Sequence, residues 1–505
     1  MSLQFKFIPL TFQRDENEIK KQIRNTIILK HFFDKNESVV KLESLIEGTQ
    51  YGYNASALES GKNKFLRISD ITDGKVDWET VPFCDCNDEE TYLLKNDDIL
   101  IARTGGTTGK SFMITNPPKH SIYAGYLIRI RANKENDANF INLFLNSYVY
   151  WSQIVSLNEG EFRPSANANT LKNLLLPKCT IAQQQDAVKI SNSISVKGYE
   201  QLLINIDNAL NKYEKCKQLE AQNFNHFDLL NRLRQSILQD AIQGKLTAEW
   251  RNQNPHTEPA AELLKRIKAD ASAGSAAGNK GKLKKEKPLP PITENEIPFE
   301  LPEGWVWCRL EQVAQSFIGL TYKPTDVVEN GTPVLRSNNI QDSKLVLNDL
   351  IKVKIDVPIS KMAKKNDILI CVRNGSKRLI GKVALIDVDD FSFGAFMSVI
   401  RTNVNSNYCF HFLLSETFRN QIDDEKSTGI NQLTQGVLNN IIIPLPPLSE
   451  QQAIVSKVET LLGKCNQLQA EIENLNAHTK DLLKALFNET FEKKLLTLPS
   501  ESFFL

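Results

Sequence analysis

The sequence predicts an α+β protein: two tandem α/β domains of small mixed β-sheets and helices, each followed by a long helix. The two long helices are expected to pack as an antiparallel coiled coil with pseudo-two-fold symmetry. Three observations predict this. The chain of 505 residues is written twice. Each copy opens with short β-prone runs and closes with a helical one. The last helix also carries an apolar period of 3.5 residues, which belongs to a coiled-coil seam rather than to a lone surface helix.

The duplication is read from matched strings in the same order. "LRISDI" (66–71) returns as "LRSNNI" (335–340), and "KNDDILIAR" (95–103) as "KKNDILICVR" (364–373). "YAGYLIRIRAN" (123–133) returns as "FGAFMSVIRTN" (393–403), and "LKNLLLPKCTIAQQQ" (171–185) as "LNNIIIPLPPLSEQQ" (438–452). Most pairs are offset by about 270 residues, too long for a solenoid unit, so each copy is a whole domain.

Residues 1–180 form the first domain. Runs such as "DILIAR" and "YLIRIR" read as strands broken by Gly, Asn and Asp, and "FINLFLNSYVYWSQIV" as a helical stretch before an apolar strand ending at Pro177. Residues 181–254 are the first long helix, with Leu203, Ile206, Leu210 and Tyr213 on its apolar stripe. Residues 255–299 are expected to be a linker, because their Ala/Gly/Lys-rich then Pro-rich stretch has little to build a core from. Residues 300–447 repeat the domain, with "DILICV" and "KVALI" as strands. Residues 448–505 hold the second long helix, opened by Ser449 and Gln452 in capping-box spacing. Its apolar positions run Ile454, Val458, Leu461, Cys465, Leu468, Ile472, Leu475, Thr479, Leu482 and Leu486, in alternating steps of four and three, and only Thr479 breaks their apolar character. It is expected to end earlier in its copy than the first helix does.

Composition narrows the class. Hydrophobic content of 41% and charged content of 24% are those of a soluble globular protein. No apolar run approaches the ~20 residues of a membrane span, and the N-terminus lacks the order of a signal peptide. The eight cysteines form no CxxC and the six histidines are dispersed, so no metal site is expected, and free thiols fit a reducing cytoplasm. The net charge of +1 leaves a nucleic-acid partner to be decided by local basic surface.

Two motifs suggest chemistry that their contexts exclude. "RTGGTTGKS" ends like a P-loop, but Thr104 stands where the first glycine belongs, and "SFMITNPP" follows where a phosphate-facing helix must begin. The matched stretch "ILICVRNGSKRLIGKVALI" keeps Gly381 and Lys382 without a following Ser or Thr. Both therefore read as a hairpin with a glycine-rich polar tip. "TNPPKH" has Lys119 where an adenine methyltransferase motif has its aromatic, and reads as a proline turn. Acidic pairs such as Asp97–Asp98 and Asp389–Asp390 read as solvated turn residues.

The polar loops have the chemistry of DNA reading. Arg103, Lys110, Arg373, Lys377, Arg378 and Lys382 supply cations, while Thr104, Thr107, Thr108, Asn374 and Ser376 supply short hydrogen-bonding groups. Arginine pairs bidentately with guanine and asparagine with adenine, whereas lysines and hydroxyls hold phosphates. "LRSNNI" adds Arg336 and Asn338; "GTQYGYNASA" and "GLTYKPTDV" align Tyr51 with Tyr322; "GEFRPSANANT" and "GINQLTQG" add Arg163 and Gln432. Loop chemistry that changes on a repeated scaffold is what two readers of different sequences need.

The chain resembles the specificity subunit of type I restriction–modification systems. The resemblance is carried by "LPEGWVWCRLEQV", "NDILICVRNG…IGKVALI", "IIIPLPPLSEQQAIVSKVETLL" and "LRQSILQDAIQGKLTAEWR", and spans nearly the whole chain. The first copy departs from it, with "PKCTIAQQQ" and no Pro-Glu-Gly-Trp opening. The resemblance implies two target recognition domains, each reading half of a bipartite, asymmetric DNA site, and a spacer of two antiparallel helices. A helix of ~40 residues is ~60 Å long, so untouched base pairs would separate the halves. It implies no catalysis and no cofactor in this chain. Adenine methylation would belong to two methylation subunits using S-adenosylmethionine, and cleavage to a motor-nuclease subunit using ATP and magnesium. A coiled-coil adaptor blind to DNA and a methyltransferase or nuclease fusion are the alternatives; the paired polar loops oppose the first, and the lack of a complete cofactor or nuclease motif opposes the second.

Overall fold

The structure, a computed structural model, describes residues 2–3, 15–72, 74–157, 166–277, 291–423 and 432–494. It falls into two units, residues 1–223 with 475–505 and residues 224–474.

The first unit is organised around an antiparallel sheet of β1 (Ile46–Tyr51), β2 (Ile99–Ala102), β3 (Ser111–Met113) and β4 (Leu127–Ala132), in spatial order β1-β4-β2-β3. Strand β2 is apolar throughout because both of its faces are covered. Ile99 and Ile101 join a helix-lined core with Ile128, Ile130, Phe140 and Phe144. Leu100 and Ala102 join a second cluster with Leu66, Tyr123 and Leu127.

The second unit repeats the arrangement with β5 (Ala314–Ile318), β6 (Ile368–Cys371), β7 (Val383–Leu385) and β8 (Met397–Thr402), in order β5-β8-β6-β7. Ile368, Ile370 and Ile400 face one core, and Leu369, Cys371, Met397 and Val399 another. Ile99 pairs with Ile130 and Ile368 with Ile400, so the repeated strings are a repeated register.

Single hydrogen bonds recur as well. Asp98, fully buried, takes the Arg131 guanidinium bidentately at 2.7 and 2.9 Å and caps the Lys95 amide at 2.8 Å. Asp367 does the same for Arg401, at 2.8 and 2.6 Å, and for the Lys364 amide at 2.8 Å. Asp98 is therefore not the solvated turn residue expected from its sequence context. Its charge is held in the core by a partner on the central strand. Gln153 clamps the backbone of Leu175 through both amide atoms, and Gln421 clamps Ile442 identically. At Gly52 a Cβ would collide with the Ala124 carbonyl, and at Gly319 with the Gly394 carbonyl. That close approach matches Gly52 with Gly319, so Tyr51 corresponds to Ile318. The expected pairing of Tyr51 with Tyr322 is four residues out of register.

The long helices are Glu200–Ile242 and Leu448–Phe491, of 43 and 44 residues. The second ends earlier in its copy, as expected, but is not shorter, because the first begins only at Glu200. The stretch expected to extend the first helix from residue 181 is a separate helix, Ile181–Ser191, cut off by a turn in which Ser193 and Gly198 take positive φ. In the first unit Lys212 meets Glu489 at 2.9 Å and Asn223 meets Thr479 at 3.3 Å, so the two chain directions oppose. In the second unit Arg234 meets Asn466 at 2.7 Å and Thr247 meets Glu450 at 2.7 Å, again antiparallel.

Each heptad buries one column fully. Val458, Cys465, Ile472, Thr479 and Leu486 are buried, whereas Leu468, Leu475 and Leu482 are 45–54% exposed. These three leucines, expected in the seam, lie outside it. Ile454 is buried and Leu461 is half-buried. On the first helix Ile206 and Tyr213 are buried and Leu203 and Leu210 partly so, while Leu202, Ala209, Cys216, Asn223, Leu230 and Ile237 form the heptad column. The polar break at Thr479 has its answer there: its hydroxyl accepts from Asn223, so the two polar seam residues satisfy each other.

Two further helices escape the sequence reading. Glu16–Asn36, capped by Asp15, buries Ile23, Ile28, Leu29 and Phe32 in the first unit. Ala260–Ala277 falls within the expected linker, and its Ala260, Leu263 and Ile267 belong to the core of the second unit. Among the described residues, no helix is long and apolar enough to cross a membrane.

Candidate nucleic-acid interface

The glycine-rich stretches are hairpin tips. In the first unit the Ala102 amide donates to the Lys110 carbonyl (2.9 Å) and the Gly109 amide to the Ala102 carbonyl (2.8 Å), and β3 pairs back onto β2. Gly109 has φ 84° and sits against the Trp151 ring, its carbonyl accepting from the Tyr150 hydroxyl at 2.7 Å. Strand β3 occupies the place where a phosphate-binding loop would begin its helix. The second unit closes its tip identically, Cys371 to Lys382 (2.9 Å) and Gly381 to Cys371 (2.8 Å), with Gly381 at φ 81°.

In the first unit the tip gathers Arg103, Thr104, Thr107, Thr108 and Lys110. Arg103, Thr104 and Lys110 are exposed, and Thr107 and Thr108 half-buried. The Thr108 hydroxyl is used internally, donating to the Gly105 carbonyl at 2.7 Å. Tyr51, from the end of β1, lies under the Arg103 guanidinium at 5.0 Å, and its hydroxyl accepts from the Ala168 amide at 3.2 Å. Arg163 lies outside the described residues.

In the second unit the tip gathers Arg373, Asn374, Ser376, Lys377, Arg378 and Lys382. Arg373 bridges to Gln432, and Asn374 donates to the Ser337 hydroxyl at 3.4 Å while its carbonyl oxygen accepts from the Ser376 amide at 3.0 Å. Lys377 stands 4.0 Å from Asp423; Arg378 and Ser376 are exposed and Lys382 half-buried. Arg336 and Asn338 converge on the exposed Asp349 carboxylate, at 3.1 and 2.6 Å. Arg373, Asn374, Gln432 and the 336–338 turn are thus brought together. Tyr322 is not among them, because it packs on Leu320, Val334 and Val353.

The sequence reading missed three residues. Arg67 is the counterpart of Arg336, in a turn closed the same way, and is held bidentately by Asp70 at 3.1 and 2.8 Å, which raises its pKa. Tyr126 and Phe396 occupy one scaffold position: the carbonyl of each accepts the amide of Arg103 or Arg373. The two residues are 69% and 58% exposed. The matched strings "AGYLI" and "GAFMS" already aligned them.

Three of the four stretches that carry the resemblance lie apart from the tips, the fourth being the hairpin of the second unit itself. "PEGW", "GKLTAEWR" and "LSEQQ" meet at the buried Glu450 carboxylate, which accepts from Thr247 (2.7 Å), Arg251 (2.5 Å) and the Trp305 indole (2.8 Å). They help to assemble the core of the second unit.

Residues 302–476 match the family described as the type I restriction modification DNA specificity domain. The chain is 32% identical to the type I restriction enzyme EcoAI specificity subunit of Escherichia coli over 60% of its own length and 53% of that protein. It is 33% identical to the EcoKI specificity subunit of Escherichia coli strain K12, over 39% of its length and 44% of that protein. It spans about half the length of these relatives. Among solved structures, the HsdS subunit from Thermoanaerobacter tengcongensis aligns over 90% of this chain and 96% of that one, with 17% identity and a TM-score of 0.41. The chain is thus similar to type I restriction enzyme specificity subunits, and its residues 302–476 match the type I restriction modification DNA specificity domain.

Proposed function

We propose that this chain is the DNA sequence-recognition subunit of a type I restriction–modification complex, each unit reading one half of a bipartite, asymmetric site. One observation carries the reading: the same four-stranded scaffold occurs twice, register for register, and presents at matched hairpin tips two different sets of cations, hydroxyls and amides. A conserved frame with altered edge chemistry suits two readers of different base sequences.

In this reading the chain is not catalytic. Two methylation subunits supply adenine methylation with S-adenosylmethionine, and a motor-nuclease subunit supplies cleavage with ATP and magnesium, all in the cytoplasm. Leu475 and Leu482, exposed on the second long helix, offer an apolar stripe suited to such a partner.

A methylome tests the proposal. The chain is co-expressed with its methylation subunit in a host lacking adenine methylation, and the genome is sequenced for modified bases. The expected result is one split motif with methyladenine in both halves. Replacing residues 1–180 by another recognition domain should change one half only. A stable complex that modifies nothing, or an exchange that alters both halves, would overturn the independent-reader assignment.

A further inference from the structure

At the root of each hairpin tip an exposed arginine lies over an aromatic ring. The Arg103 guanidinium is 5.0 Å from the centre of Tyr51, and that of Arg373 is 5.3 Å from the centre of Phe396. Among the described residues, neither has an ion-pair partner within 4.0 Å. The Tyr51 ring is held through its hydroxyl, and Phe396 through its backbone. The Tyr51 hydroxyl accepts the Ala168 amide, and the Phe396 carbonyl accepts the amides of Val372 and Arg373 at 3.0 and 3.2 Å. Phe396 is 58% exposed, so the ring and the guanidinium over it both lie at the surface.

Stacking uses the face of a guanidinium and leaves its edge donors free. It also removes rotamer freedom that a flexible arginine would otherwise lose on binding. A planar pair of donors is what the O6 and N7 acceptors of guanine require. We propose that Phe396 and Tyr51 are positioning residues that hold Arg373 and Arg103 for bidentate reading of a guanine in their respective half-sites. The ring comes from different strands, from the residue before β8 in the second unit and from the end of β1 in the first. The inference rests on the DNA-reading function proposed above.

The test uses the full chain in complex with its methylation subunit, selecting from a pool of randomised double-stranded DNA whose bound fraction is sequenced. The unaltered complex should select a split motif with a guanine in each half. Arg373→Ala should cut discrimination at one guanine by roughly 5- to 150-fold. Phe396→Ala should relax that same position by about 2- to 5-fold, leave the other half-site unchanged as a control for folding, and be rescued by Phe396→Tyr. Tyr51→Ala should act only in the other half. An unchanged motif in Phe396→Ala, or a position that is not guanine, would overturn the inference while leaving the recognition function intact. No motif in the unaltered complex would overturn both.

Discussion

In the first unit the tip between β2 and β3 runs from Arg103 to Lys110 and is rich in threonine and glycine. In the second, the tip between β6 and β7 runs from Val372 to Lys382, is longer, and replaces the threonines with Asn374, Ser376, Lys377 and Arg378. Beneath them the scaffolds agree down to single hydrogen bonds: the buried Asp–Arg pairs, the glutamine clamps and the close-approach glycines occupy matched places. Variation is concentrated where the backbone is already closed by its own bonds, so tip residues can change without disturbing the strands. That separation is what the proposed reading of two sequences by one fold requires.

The scaffolds differ most at the entrance to their carboxy-terminal helices, and there the largest effect is expected. In the second unit Glu450 satisfies Thr247, Arg251 and Trp305 at once. The equivalent position in the first unit is Gln183, exchanging neutral hydrogen bonds with Asn36 at 3.3 and 3.0 Å. Glu450→Ala strands a partly buried arginine and an indole, and should cost the second unit roughly 3–5 kcal/mol. Gln183→Ala should cost the first about 1 kcal/mol. Hydrogen exchange resolved by unit separates the two, and equal losses would break the distinction between an ionic and a neutral anchor.

The Asp–Arg pairs should instead behave alike. Arg131 and Arg401 are 28% and 27% exposed, and water takes part of the charge that a lost carboxylate leaves behind. Asp98→Ala and Asp367→Ala should therefore each destabilise their own unit by about 2 kcal/mol, below the full value for a buried pair. Denaturant-dependent hydrogen exchange in each unit is the measurement. A large loss in one unit with none in the other would show that matched geometry hides unequal energetics.

Much of this was legible in the sequence, and the failures have identifiable causes. The hairpins were readable because an apolar run, a glycine-rich tip and a second β-prone run are local signals, and the repeat supplied each with a control. Asp98 was not, because its partner Arg131 is 33 residues away and an Asp-Asp pair looks like a turn. Spacing alone aligns Gly48 with Gly319 and so Tyr51 with Tyr322, whereas the carbonyls that Gly52 and Gly319 touch match those two glycines instead. The 3.5-residue period marked a seam without saying which column fills it, since leucine appears in both. The helix Ala260–Ala277 was lost in an alanine- and lysine-rich stretch, where composition suits a tether as well as a helix. At the candidate interface the polar loop residues are legible in the sequence, but Tyr126 and Phe396 are not, because an aromatic beside an apolar strand reads as core.

The smallest expected difference is a response to acid confined to the second unit. His411 is buried with no hydrogen-bond partner at either ring nitrogen among the described residues, and burial holds its pKa down to about 4. Its place in the first unit is taken by Leu143, as the matched hydroxyl caps of Ser147 on Phe144 and Ser415 on Phe412 show. The unfolded chain protonates its histidine near pH 6.5, before the folded one does, so stability is fully present above that pH and is lost as pH falls toward about 4. By pH 5.5 the loss should be roughly 1 kcal/mol. His411→Leu should remove it, so the difference in unfolding free energy between the variant and the parent should grow between pH 7 and 5.5 while titrations shared by both cancel. A difference that stays flat across that window would mean that the imidazole keeps its ordinary affinity for protons in the fold.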